Sequence, residues 1–141
     1  MRLPPRPPAL LSSRAWSIPP RQYGPREKLL SLLCEGLVAQ GIDVTLFAAP
    51  GSQTAARLVT PLESAPHPSV VGDPWYEAQH VLAALVHDVP ADIVHDHSGP
   101  AGVSLAAMAR DVPVVHTLHG PWTSEARALY QLLDGRVRLV A

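Results

Sequence analysis

Residues 92–121 read DIVHDHSGPAGVSLAAMARDVPVVHTLHGP. Two short apolar runs, each closing on histidines and a Gly-Pro pair, flank an alanine-rich segment of helical length. A strand, a crossover helix and a second strand form the unit from which parallel sheets are built. The spacing predicts a strand over Ile93 to His95, a helix over Ala101 to Ala109 and a strand over Val112 to Leu118. In open α/β sheets, ligands gather outside the carboxyl ends of the strands. His95, Asp96, His97, Ser98, His119 and Gly120 close or follow these two strands, which makes them candidate cleft residues.

Upstream, seven prolines in residues 1–25 rule out a long helix or an ordinary central strand there. Only Ala9 to Ser13 fits a short first strand, which would lie near the middle of a doubly wound sheet. Residues 1–17 are expected to form a proline-rich arm, its first eight residues disordered, and residues 18–141 the folded domain. Pro25 suits the first position of a helix and Glu27 complements its dipole. Leu30, Leu33, Cys34, Leu37 and Val38 make one apolar stripe before Gly41 stops the helix. Val44 to Ala49 reads as a buried strand, and Leu58 to Leu62 or Ser69 to Val71 as an edge strand. Asp73 before Pro74 is an N-cap signal for a helix to about Asp88, supported by Trp75, Leu82, Leu85 and Val86. Thr123 predicts another cap, for a helix through Leu133 with Ala126, Leu129, Tyr130 and Leu133 on one face. Val137 to Val140 is the last strand. Strands alternating with helices argue a Rossmann-like, mostly parallel sheet with helices on both faces.

A chain of 141 residues can bury one real core but not two full ones. Its net charge of −1, with no basic run, argues against a nucleic-acid partner. The longest strongly apolar run, Val81 to Val86, falls far short of the roughly 20 residues that cross a bilayer. Arg2 and Arg6 precede no signal-peptide core, because prolines 4, 5, 7 and 8 interrupt it. The lone Cys34 excludes an intramolecular disulfide and fits a reducing compartment, so a cytoplasmic location is expected.

Three features converge on one end of such a sheet. Tyr23 to Glu27 opens a helix, so its backbone N–H groups and dipole are suited to an anion such as a diphosphate; the alternative is a plain helix start with a solvated Arg26. His95 and His97 alternate along a strand and point to one face, which permits a metal site if His116 or His119 supplies a third ligand. No partner of the usual spacing follows, and no metal is expected. His119 reads either as a hydrogen-bond or acid/base group at a strand end, or as a histidine satisfied by loop carbonyls.

Pro19 to Gly24 with Glu27, the helix after them, Asp43 to Ala48, Asp92 to His97 and Pro113 to Pro121 resemble, in that order, the N-terminal domain of family 4 glycosyltransferases. The resemblance runs from about Ile18 to Ala141. It implies a GT-B architecture of two Rossmann-like domains. The acceptor is held mainly by the first domain and a nucleotide-sugar co-substrate by the second, and transfer proceeds with retention and without a metal cofactor. By this resemblance Gly24 matches the glycine loop near the donor phosphates, with Arg26 beside it. His119 matches the active-site histidine near the transferred sugar, followed by Gly120, and His97, Ser98 and Gly99 match the loop lining the acceptor side. Where the family has two adjacent glycines, this chain has Pro25 in the second place, which removes one N–H from any phosphate cradle. The expected function is therefore the acceptor-side domain of a retaining glycosyltransferase, inactive alone because the C-terminal donor domain is missing, with a second chain as a candidate partner. A non-catalytic binding module and a metal-dependent hydrolase are the alternatives.

Overall fold

The computed structural model describes residues 9–11, 16–64, 67–70, 72–87, 89–109 and 111–141. The arm over residues 1–8 and the predicted strand end at Ser12 and Ser13 lie outside the described residues. The elements in chain order are β1 (Ala9–Leu11), α1 (Pro25–Ala39), β2 (Thr45–Phe47), β3 (Arg57–Val59), α2 (Pro74–Val86), β4 (Val94–Asp96), α3 (Pro100–Ala109), β5 (Val114–Thr117), α4 (Ser124–Leu132) and β6 (Val137–Val140). All six strands pair in parallel in the order β3-β2-β1-β4-β5-β6. The chain winds outward from β1 in one direction and from β4 in the other, which is the doubly wound pattern with its switch point between those two strands.

Two packed clusters flank the sheet. Leu30 and Cys34 of α1 pack with Val44, Leu46, Ala48 and Ile18 on one face. On the other, Val81 and Ala84 of α2, Val103, Ala106 and Ala107 of α3, and Leu133 cover Phe47, Val94, Val114 and Val137. The period-2 alternation of strand side chains explains the split, since Leu46 and Phe47 are neighbours that point to opposite layers.

The caps form as the sequence predicts. The Asp73 carboxylate accepts from the Trp75 N–H at 2.8 Å, and the Thr123 hydroxyl accepts from the Ala126 N–H at 3.1 Å. Two expectations change. Of the two edge-strand candidates, Arg57–Val59 forms the edge, whereas Pro68–Val70 is a single 3-10 turn. Of the residues that argued for α2, only Leu85 packs against the core: Trp75 is 77% exposed and Val86 82%, and Leu82 is exposed as well, while Glu77, His80, Val81 and Ala84 are buried. The helix is right, but it turns a partly polar face inward, and hydrophobic periodicity does not register such a face.

Candidate active site

The switch point places the loops after β1 and β4 side by side at the carboxyl end of the sheet, and a cleft of about 800 Å³ opens there. The segment leading from β1 into α1 is anchored beneath it. Ile18 is fully buried, its N–H donates to Ser52 Oγ at 2.9 Å, and its carbonyl accepts from the Gln53 N–H at 2.7 Å. That anchor brings Gly24 and Arg26 to the cleft wall. Gly24 is required by closeness rather than by its dihedral angles, for a Cβ there would lie 2.7 Å from Pro20 Cβ and 2.9 Å from Glu27 Oε2.

Strand alternation divides the His95-Asp96-His97-Ser98 run between the two sheet faces. Asp96 is fully buried on the α2/α3/α4 side, where it accepts from Ser98 Oγ at 2.7 Å and meets His116 Nδ1 at 2.5 Å. The register of β4 against β5 sets Asp96 directly beside His116. The far nitrogen of His116 meets the Tyr130 hydroxyl at 3.1 Å, and the Tyr130 ring stacks on Trp122 with centroids 5.7 Å apart. A buried carboxylate thus holds an imidazole from behind, and the imidazole holds a phenol that lines the cleft. Burial raises the Tyr130 pKa, with Asp96 and Glu77 adding to the shift, so the hydroxyl keeps its proton at neutral pH.

On the α1 side stand three imidazoles in a row. His95 and His97 have ring centroids 4.3 Å apart, and His97 and His119 5.2 Å apart. His95 Nε2 meets Thr117 Oγ1 at 2.8 Å, and His97 Nδ1 meets His119 Nε2 at 2.9 Å. Burial, then the charges of His95 and His119, pushes the His97 pKa from 6.5 down to about 3. Burial and, next, Arg26 lower that of His119 as well. A histidine that resists protonation when folded binds fewer protons than the unfolded chain between those values. Folding stability is therefore intact above pH 6.5 and lost as pH falls towards 3. Thermal melts across that window are expected to show a falling midpoint, with a shallower slope in His97→Asn, whose amide does not titrate. An equal slope in the variant would assign the acid sensitivity to other groups.

Of the helix N-termini at the cleft, that of α3 is already occupied. Glu77 reaches across from α2 and its Oε1 accepts from the Gly102 N–H at 2.7 Å. The sequence disguises this role, because an acid in the first turn of α2 reads as a complement to its own helix. Gly102 is fixed by the same closeness: an added Cβ would overlap Ser98 Oγ and lie 2.7 Å from Ser98 Cβ and 2.9 Å from Val81 Cγ2. Helix propensity favours alanine over glycine by about 1 kcal/mol, but overpacking costs about 1–3 kcal/mol and here also displaces the Ser98 bond to Asp96. Gly102→Ala is therefore expected to lower stability in chemical denaturation; a stabilised variant would contradict this packing.

Gly24, Arg26, Ser98, Gly99, His119 and Gly120 all line the cleft. His97 does not. It is 1% exposed and stands behind His119 rather than in the cleft wall. Sequence reasoning missed Glu77 and the Asp96–His116–Tyr130 chain. The aspartate beside two histidines was the available signal, and recognising its partner required the strand register. Among the described residues, no group of three or more histidines, cysteines or acids is arranged to hold a metal ion. Nor, among them, is any helix long and apolar enough to cross a membrane.

Comparison with curated proteins finds no match. A family model, Glycosyltransferase Family 4, matches over residues 27–140. The matched span begins just after Arg26 and takes in both histidine-bearing strand ends, the helix between them and Tyr130. On a match over most of its length, joined to a doubly wound sheet with its cleft at the switch point, the chain belongs to glycosyltransferase family 4.

Proposed function

We propose that this chain is the acceptor-side domain of a retaining, GT-B-type glycosyltransferase. The sugar comes from a nucleotide-sugar co-substrate that a second Rossmann-like domain grips, in the same enzyme or on a partner chain. The observation that carries the reading is the gathering of Gly24, Arg26, Ser98, Gly99, His119 and Gly120 around one switch-point cleft in a chain of this family. The domain runs from β1 at Ala9 to Ala141 rather than from residue 18, because β1 is a central strand of its sheet. It works in the cytoplasm where nucleotide sugars are made, and is inactive alone because half the donor site lies elsewhere. The α1 N-terminus and Arg26 face the donor phosphates. The wall of Leu118, Leu129 and Tyr130 faces the acceptor, offering apolar surface and one hydroxyl.

The test is reconstitution. This chain is mixed with, or fused to, a donor-binding C-terminal domain of the same family, nucleotide sugars are added, and released nucleotide is followed. Neither half alone is expected to release nucleotide, whereas the combination is. Release by this chain alone would overturn the half-site reading, and a folded, donor-binding combination that never turns over would overturn the enzymatic one.

A further inference from the structure

His119 and His116 stand at the end of one strand, and each is held from behind by a group on the neighbouring strand or the loop that follows it. The two holding groups differ in chemistry. His116 has the Asp96 carboxylate, and His119 has the His97 imidazole. A carboxylate stabilises an imidazolium in front of it, whereas a neutral imidazole does not. We propose that His97 is a positioning residue that donates its Nδ1–H to His119 Nε2, fixing His119 as the neutral Nδ1–H form. His119 then presents an N–H donor to a ligand oxygen in the cleft and does not act as a general base.

The argument is an accounting of protons. His97 is 1% exposed, and its Nε2 is buried with no hydrogen-bond partner. Burial also keeps the ring neutral, so it carries one N–H for two nitrogens. If that proton sat on Nε2, the molecule would bury an orphaned N–H donor. With the proton on Nδ1 it buries only an unused lone pair. Orphaned N–H groups are the rarer of the two in folded proteins, and the desolvation of an unpaired buried donor is not recovered elsewhere. The intrinsic preference of free histidine for the Nε2–H form opposes this arrangement, and the burial of His97 outweighs it. His119 Nε2 is then the acceptor of the 2.9 Å bond, and its own proton lies on Nδ1. The charged groups facing His119 are Arg26 and His116, which disfavour its protonation, and Glu27 and Asp96, which favour it; burial with the first pair wins.

The inference takes from the proposed function only its consequence, since the tautomer is a property of the chain without ligand. It is read from the ring nitrogen shifts of the 15N-histidine-labelled chain at neutral pH, where protonated and bare nitrogens are widely separated. The expected result is Nδ1–H at both His97 and His119. An Nε2–H form at His119 overturns the proposal. His97→Asn keeps an N–H near the Nδ1 position and is expected to preserve the His119 pattern, while His97→Ala is expected to release it to the Nε2–H form. A His119 pattern unmoved in a folded His97→Ala variant also overturns it. If both variants fail to fold, the spectrum of the parent chain still decides. A failed reconstitution with the expected tautomers would count against the enzymatic reading and leave the positioning role standing.

Discussion

Replacing Asp96 with alanine is expected to remove about 3–5 kcal/mol of folding stability, the largest loss at any single position considered. The carboxylate is fully buried and serves two partners, Ser98 Oγ at 2.7 Å and His116 Nδ1 at 2.5 Å. Truncation takes the carboxylate from His116, leaves Ser98 Oγ only the long contact to the Gly99 carbonyl at 3.4 Å, and opens a small cavity beside β4 and β5. Asp96→Asn keeps the shape and one acceptor oxygen and should cost about half as much, because His116 can carry its proton on Nε2 and donate to Tyr130 instead. Urea denaturation of the three proteins measures the order. Equal stabilities for parent and alanine variant would mean that the network contributes nothing.

The second large effect is on turnover. In a complete enzyme carrying this domain, His119→Ala is expected to lower kcat by about a hundredfold or more, roughly 2.7 kcal/mol of transition-state stabilisation from one positioned polar group. Its effect on folding should be about 1–3 kcal/mol, the cost of leaving the buried His97 Nδ1–H without its acceptor. The side chain is only partly buried and contributes one bond, to His97, besides lining the cleft. Steady-state kinetics and thermal melts on the same preparation separate the two effects. Unchanged turnover, or activity lost only through unfolding, would return His119 to a structural role.

The contrast between Asp96 and His119 also marks what the sequence could and could not reveal. Strand-helix alternation and the caps at Asp73 and Thr123 depend on local patterns, and the sheet and helix starts follow from them. The short β1 at Ala9–Leu11 is legible too, since prolines confine it and the topology needs a central strand. Residue pairing across strands is a different matter. Asp96 meets His116 because Val94 stands opposite Val114, and no spacing within either strand encodes that register. The burial of His97 escaped notice for a related reason. Its position after a strand end suggests exposure, whereas the loop folds it between His95 and His119. For α2, polar Glu77 and His80 face inward while Trp75 faces out, because the helix packs beside a cleft. Apolar periodicity has no signal for that arrangement.

The central claim, that the switch-point cleft is the half-site of a nucleotide-sugar enzyme, is tested most directly by amide NMR of the 15N-labelled chain titrated with nucleoside diphosphates. With half the donor site present, binding is expected at millimolar strength, about 4 kcal/mol. The account predicts shift changes concentrated at Gly24, Arg26, His119 and Gly120. No change at those four amides up to about 10 mM nucleotide, or saturable changes confined to residues outside the cleft, would contradict it.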